Sequence, residues 1–454
     1  MSTIIGEVRN QFRKLISIII LHAGLTVIMV CALYNHLVTN LYDKNKNITN
    51  NKNKKNNSNN EELESNIIPH DDDFKNQHNI PLINDREHDI LIPALSFYYN
   101  KLNIIVEEFQ VMTPDGYPLE LWHLKDMNIP ASTNKKPMLF IHGLLQSSAS
   151  FASGGENSLA YYFNQNGFDI WLGNNRIGFE YETEKNRNDK NYWNWDMNEM
   201  YKIDLPVLID FVQEKTGYER IHLVGHSQGT AEIFLALINN VEDIRSKVDT
   251  FIALAPACYP GPLILNDSKI LKIMAKTIDN PLVFGNKSFV KIMMLTRQWF
   301  LGTKFFGFIC YLFFSYVFEW DDKLWERGKT ATHFMFSPVY VSVKLMQWWL
   351  SPDPNKISFI QHSSTLLFPE NKRWFDFTNS EEDLFPKILL VVPHRDKLVD
   401  GFRLIDHFNK CEDPRIFKYW IFDEYSHLDV LWATTVQERV GKPLVEALKS
   451  FTGK

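Results

Sequence analysis

The sequence predicts an α/β protein with a mainly parallel sheet covered by helices on both faces. Six apolar runs, MLFI (138–141), FDIWL (168–172), IHLVG (221–225), FIALA (251–255), ILLVV (388–392) and FKYWIF (417–422), each read as a fully buried strand. Helix-like stretches, such as 202–214 and 230–239, lie between several of them. Buried strands alternating with helices return parallel to one another. Ahead of these, NIIVEEFQVMTPDGYPLELWHL has two β-rich runs around Asp115-Gly116. An Asp-Gly pair between such runs is a hairpin signal, because the turn needs positive φ.

The chain has 454 residues, enough for a large buried core. Hydrophobic residues make up 45% and charged residues 22%, as in an ordinary globular protein. The net charge of −6 offers no general pull towards nucleic acid. Four cysteines, at 31, 258, 310 and 411, have no C-x-x-C spacing, which argues against a zinc or thioredoxin-type site. The aromatic share of 14%, with 33 Phe and 12 Trp, needs a particular home.

Residues 15–34 read LISIIILHAGLTVIMVCALY without a charge. Twenty residues of helix rise about 30 Å, the thickness of a bilayer's hydrocarbon core. A cleaved signal peptide has a shorter apolar core, so the reading is a retained anchor with residues 1–14 as its flank. Basic residues on the two sides nearly cancel and leave orientation open. Residues 35–90 are expected to be a polar, Asn- and Lys-rich tether that cannot bury enough surface to order itself. Folded structure is expected to begin between about residues 90 and 104.

Residues 225–229 read Gly225-His226-Ser227-Gln228-Gly229, a G-x-S-x-G pentapeptide. A buried strand runs into it and an apolar helix, TAEIFLALINN, runs out. That strand–turn–helix is the setting of a nucleophile elbow, whose sharp turn lifts the serine above the sheet. A serine hydroxyl needs a base, and the base needs an orienting carboxylate. In the α/β-hydrolase fold these follow in the order acid, then histidine, each after a later strand. Asp396 comes just after ILLVV, with Asp400 as its nearest rival, and His427 comes after FKYWIF. An oxyanion hole requires two backbone N–H donors. One is expected from Gln228, after the nucleophile. The other is expected from Leu144, in the His142-Gly143-Leu144-Leu145-Gln146 loop after MLFI. His142 sits where it would shape that loop.

These residues resemble the acid lipase family, which includes gastric and lysosomal lipases and the membrane-anchored sterol ester hydrolases of yeasts. The resemblance rests on TPDGYPLELW, FIHGLLQSSASF, FDIWLGNNR, WNWDMNEMYKIDLPVLIDFV, LVGHSQGT, HRDKLVDGF and YSHLDVLW, in family order over most of 90–445. It implies Ser227, Asp396 and His427 as catalytic residues and Leu144 and Gln228 as the hole; the two-step acyl transfer expected of them needs no cofactor or metal. The apolar span and tether make the layout similar to the yeast enzymes. One departure is the Ile177-Gly178-Phe179 sequence after Asn175-Arg176, where the family usually has a Gly-rich turn.

About 130 residues separate FIALA from ILLVV, too many for a loop. The expected division is a hydrolase core over 91–259 and 386–454, with a cap inserted over 260–385. Within the cap, WFLGTKFFGFICYLFFSYVF (299–318) has ten aromatics in twenty residues and Lys304 as its one charge. A second membrane span would part the nucleophile from its acid and base, so an apolar lid over a water-insoluble ester is the reading. Steryl esters are the first expected substrate and triacylglycerol the second, at a membrane or lipid-droplet surface. The location is single-pass, on lipid droplet, endoplasmic reticulum or plasma membrane. A catalytically silent lipid-binding scaffold and an acyltransferase are the rivals.

Overall fold

The computed structural model describes residues 91–452, except 129–134, 177, 179–188, 190, 362–363 and 377–384, together with Thr26. Apart from Thr26, the expected anchor over 15–34 and the tether over 35–90 lie outside the described residues. Among the described residues, no helix is long and apolar enough to cross a membrane.

Eight strands form one sheet in the order β1-β2-β4-β3-β5-β6-β7-β8. They are β1 (Ile104–Met112), β2 (Pro118–Asp126), β3 (Lys136–Ile141), β4 (Phe168–Gly173), β5 (Ile221–His226), β6 (Val248–Leu254), β7 (Lys387–Pro393) and β8 (Phe417–Phe422). The pairs β1–β2 and β2–β4 are antiparallel, and the rest are parallel. The β1–β2 hairpin closes through a five-residue loop in which Thr113 N donates to Tyr117 O at 2.9 Å. Positive φ falls on Gly116 alone of the Asp-Gly pair (+87°).

The expected strands sit where the apolar runs lie, with one correction. Strand β5 is buried throughout, and β6 and β7 nearly so, as strands flanked on both sides must be. FKYWIF is not a fully buried strand: as β8 it forms the sheet edge, and only Phe422 is buried. An edge strand has one neighbour, so its apolar content does not imply burial on both faces.

Helices Leu159–Gln165, Leu205–Thr216, Gln228–Ile238, Gly401–Cys411 and Lys442–Thr452 accompany the strands. The helix expected from residue 202 starts its regular turns at Leu205, after a wide turn over Met200–Asp204. It stops at Gly217, whose φ of +73° suits glycine.

Between β6 and β7 the chain builds a layer that includes helices Lys269–Thr277, Lys291–Phe300, Lys304–Phe318 and Val343–Leu350. The aromatic run does not form one long helix. It breaks at Gly302 (φ +83°), and Thr303 caps the next helix by accepting from Phe306 N. The resulting helix has 15 residues, about 22 Å long, short of a bilayer's hydrocarbon thickness. Gly307 lets it approach Ala331, because a Cβ there would lie 2.5 Å from that residue's Cα. Cys258, Cys310 and Cys411 are all free thiols.

Candidate active site

Strand β5 ends at His226, and the helix Gln228–Ile238 begins two residues later. Ser227 makes the turn between them at φ +51°, ψ −116°, a conformation that costs free energy for a residue with a Cβ. Close packing holds it there. A Cβ on Gly225 would lie 2.9 Å from the Gly229 carbonyl, and one on Gly229 would run into the Ile141 carbonyl. Ser227 N donates to Leu254 O at 3.0 Å, and the Thr230 hydroxyl donates to Ser227 O at 2.6 Å. The elbow is thus tied to β6 on one side and to its own helix on the other.

The Ser227 hydroxyl lies 2.9 Å from His427 Nε2, and His427 Nδ1 lies 2.6 Å from Asp396 Oδ2. An Nδ1–H donated to the carboxylate leaves Nε2 with the lone pair that accepts the serine proton. Asp396 Oδ1 accepts from Leu398 N (2.8 Å) and Val399 N (3.2 Å), so both carboxylate oxygens are bonded. The side chains of His427 and Asp396 are 2% exposed, which keeps water from competing for these bonds. Asp400 does other work: it caps the helix Gly401–Cys411 by accepting from Arg403 N. His407 is buried in that helix between the Glu370 carbonyl and Glu412.

Gln228 directly follows Ser227, and Leu144 lines the same cavity as the serine. Gln228 opens the helix, so its N–H has no partner in the helical ladder. Gly143 leaves room for this approach, since a Cβ there would stand 3.2 Å from Ser227 Cβ and 3.0 Å from His226 Nδ1. His142 Nδ1 donates to Gly143 O at 2.8 Å, and its Nε2 accepts from Asn175 N at 3.2 Å. Burial pushes this imidazole down to about 4, so it is neutral and holds the loop rather than acting as a base.

The cavity over Ser227 has a volume of about 730 Å³. Its wall is almost wholly apolar, with Ile264, Met274, Phe314, Trp320, Trp349 and Phe359 among the lining residues. All of these come from the layer between β6 and β7.

Residues 136–282 match the family model of the alpha/beta hydrolase fold, and residues 95–155 match that of the partial alpha/beta-hydrolase lipase region. Over 402 residues the chain is 44% identical to sterol esterase 2 of Saccharomyces cerevisiae, covering 82% of this chain and 74% of that protein. The chain belongs to the acid lipase family. It is also 27% identical over 361 residues to gastric triacylglycerol lipase of Homo sapiens, covering 75% of this chain and 87% of that protein. Lipase member J of Homo sapiens is 29% identical over 375 residues, 76% of this chain and 95% of that protein.

The sequence blocks that carry the family resemblance have visible structural work. Arg176, from FDIWLGNNR, is fully buried. It donates to both oxygens of Asp204 from the DLPVLIDF block and to Asp115 from TPDGY, and it stacks on Tyr117 at 4.2 Å. Of the departure after Arg176, Gly178 alone lies among the described residues.

Three further side chains meet the site in ways that the sequence reading did not assign. The His226 ring faces the His427 carbonyl through Nε2 (3.1 Å) and the Gln146 side-chain amide through Nδ1 (3.0 Å). Its position inside the pentapeptide was the available signal. Trp349 Nε1 donates to Gln228 Oε1 at 2.9 Å. Trp320 lies flat on His427. Nothing in the local sequence marks either tryptophan, because both meet the site only through the fold of the cap.

Proposed function

We propose that this protein is a serine esterase that cleaves steryl esters into sterol and fatty acid at a lipid surface. One observation carries the reading: the continuous line Ser227–His427–Asp396 ends in an apolar cavity of about 730 Å³. Ser227 Oγ attacks the ester carbonyl carbon while His427 Nε2 takes the hydroxyl proton. The Leu144 and Gln228 N–H groups hold the oxyanion, each donor worth about 2.7–4 kcal/mol in the transition state. Collapse breaks the bond to the sterol oxygen, which leaves with the proton from His427. Water then attacks the acyl-serine with the same histidine as base, and the fatty acid departs. Asp396 holds the tautomer and stabilises the imidazolium. This chemistry needs neither metal nor organic cofactor.

The substrate class follows from the cavity wall. A steryl ester is a bulky apolar molecule with a single polar linkage, and an almost wholly apolar wall with Ser227 and His427 among its residues suits it. The name of the 44%-identical yeast relative supports the same class. Triacylglycerol is the second substrate in view, supported by the name of the gastric relative.

In this reading the run 15–34 anchors the chain in a membrane or lipid-droplet surface and 35–90 tethers the hydrolase to it, so that the cap meets lipid. Trp299, Phe300, Phe305 and Phe308 are exposed on that cap, as a surface that enters a lipid monolayer requires. Purified wild type and Ser227→Ala are to be compared on cholesteryl oleate and triolein in detergent micelles. Sterol release that vanishes in the variant is the expected result. Release from triolein alone moves the substrate to triacylglycerol, and no Ser227-dependent release from either points to a transferase or a scaffold.

A further inference from the structure

Glu232 lies on the helix that follows the nucleophile, fully buried, and the acyl-transfer mechanism gives it no task. Its Oε2 accepts from Asn175 Nδ2 at 2.8 Å. The other atom of each group, Glu232 Oε1 and Asn175 Oδ1, is buried without a hydrogen-bond partner. Two acceptor oxygens of one bonded pair, both orphaned in a dry interior, are costly unless a proton lies between them. A carboxylic acid and a primary amide join through two parallel bonds, N–H to one carboxyl oxygen and O–H to the amide oxygen. That ring satisfies both orphans at once.

The surrounding charges agree. The charged groups that face Glu232 are Arg176, on the segment after β4, and Asp204, ahead of the helix Leu205–Thr216. Arg176 directs its fork at Asp204 and Asp115 and leaves Glu232 no cation. The one imidazole in this chain of contacts, His142, is neutral, and the helix Gln228–Ile238 carries no other ionisable side chain. Burial accordingly pushes the Glu232 carboxyl up to about 8.

Asn175 extends this pair to the oxyanion loop. Its backbone N–H donates to His142 Nε2, and His142 Nδ1–H donates to the Gly143 carbonyl. That carbonyl and the Leu144 N–H belong to one planar peptide and point in opposite directions. Holding Gly143 O therefore aims the Leu144 N–H. We infer that Glu232 acts as a neutral acid ringed with Asn175, and that this ring positions the oxyanion loop through His142. Glu232 is thus a positioning residue. The inference rests on the serine esterase reading for its kinetic consequence but not for the ring itself.

The test uses the full chain and two substitutions. In Glu232→Gln the amide makes the same two bonds and cannot ionise. Its kcat should stay within about twofold of wild type at neutral pH, and it should lack the fall in kcat that wild type shows as pH rises through about 8. Glu232→Ala opens the ring, and kcat should drop about tenfold or more with KM little changed, because the hole acts on the transition state. Infrared difference spectra of wild type minus Glu232→Gln at neutral pH should show the carbonyl band of a neutral carboxylic acid, sensitive to deuterium. No such band, or a Glu232→Gln enzyme as impaired as Glu232→Ala, overturns the inference. If turnover does not depend on Ser227, the esterase reading fails while the infrared band still reports on the ring.

Discussion

The indole of Trp320 lies over the imidazole of His427, with ring centroids 5.5 Å apart and planes 8° from parallel. The stack continues into the cap through Phe318, 4.6 Å from Trp320. A few residues on, Trp325 Nε1 donates to Asp429 Oδ1 and Leu324 O accepts from Thr434 N. The cap is therefore fastened to the loop that carries His427, and its aromatic ladder ends on that imidazole.

Removing this indole tests what the contact does. An aromatic pair contributes about 0.5–1.5 kcal/mol beyond its area. Trp320→Ala should lower long-chain ester turnover about two- to twelvefold. Labelling of Ser227 by a small fluorophosphonate should persist, since the nucleophile itself is intact. Unchanged turnover would show that the stack is packing alone.

The two aspartates after β7 should separate cleanly. Asp396→Asn disturbs the His427 tautomer and should cost about 10⁴ in kcat while the thermal midpoint stays near that of wild type. Asp400→Ala removes a helix cap and should cost about 1 kcal/mol of stability with kcat preserved. Steady-state kinetics and thermal melts of both variants distinguish the roles, and an exchange of the two phenotypes would reassign the acid.

Trp349 joins the cap to the start of the nucleophile helix. Trp349→Phe keeps most of the buried area but strands the Gln228 side-chain oxygen, which should cost about 1–3 kcal/mol. Urea unfolding measures it. A midpoint equal to wild type would mean that water replaces the indole.

Buried histidines set the response to acid. Burial pushes His142 down to about 4 and His222 and His333 to about 3, from an ordinary value of 6.5. A group whose folded value is depressed binds more protons unfolded, so stability is full above about 6.5 and falls as pH drops below it. Glu232 has the opposite sign: raised from 4.5 to about 8, its contribution is full below 4.5 and is lost as pH rises towards 8. Urea midpoints should therefore fall on acidification below about 6.5. Between about 6.5 and 8 the wild type should decline while Glu232→Gln stays level. A flat acid limb would contradict the histidine assignment.

Much of the site was legible because its parts are local. The Gly225–Gly229 pentapeptide carries its own steric logic, since its glycines sit where a Cβ would meet backbone. Asp396 and His427 stand directly after strand-forming runs, and a strand end is a place the sequence marks. Asp396 and Asp400 were harder to tell apart, because both follow the same strand and only the capping bond to Arg403 N shows what Asp400 does. FKYWIF misled for a related reason: apolar content reports strand propensity, whereas burial depends on having a neighbour on each side.

By itself the sequence determined the alternation of strands and helices, the tight turn at Ser227, the strand-end positions of Asp396 and His427, and an aromatic-rich insertion between β6 and β7. Periodicity, small residues at a tight turn and strand-end positions act over a few residues, so they survive reading in one dimension. The tertiary structure alone decided that Trp320 lies on His427, that Trp349 holds Gln228, that the aromatic run breaks at Gly302, and that Glu232 meets Asn175. Each of the three contacts joins residues from 57 to 121 positions apart, and which partners meet at that range is settled by how the layers pack.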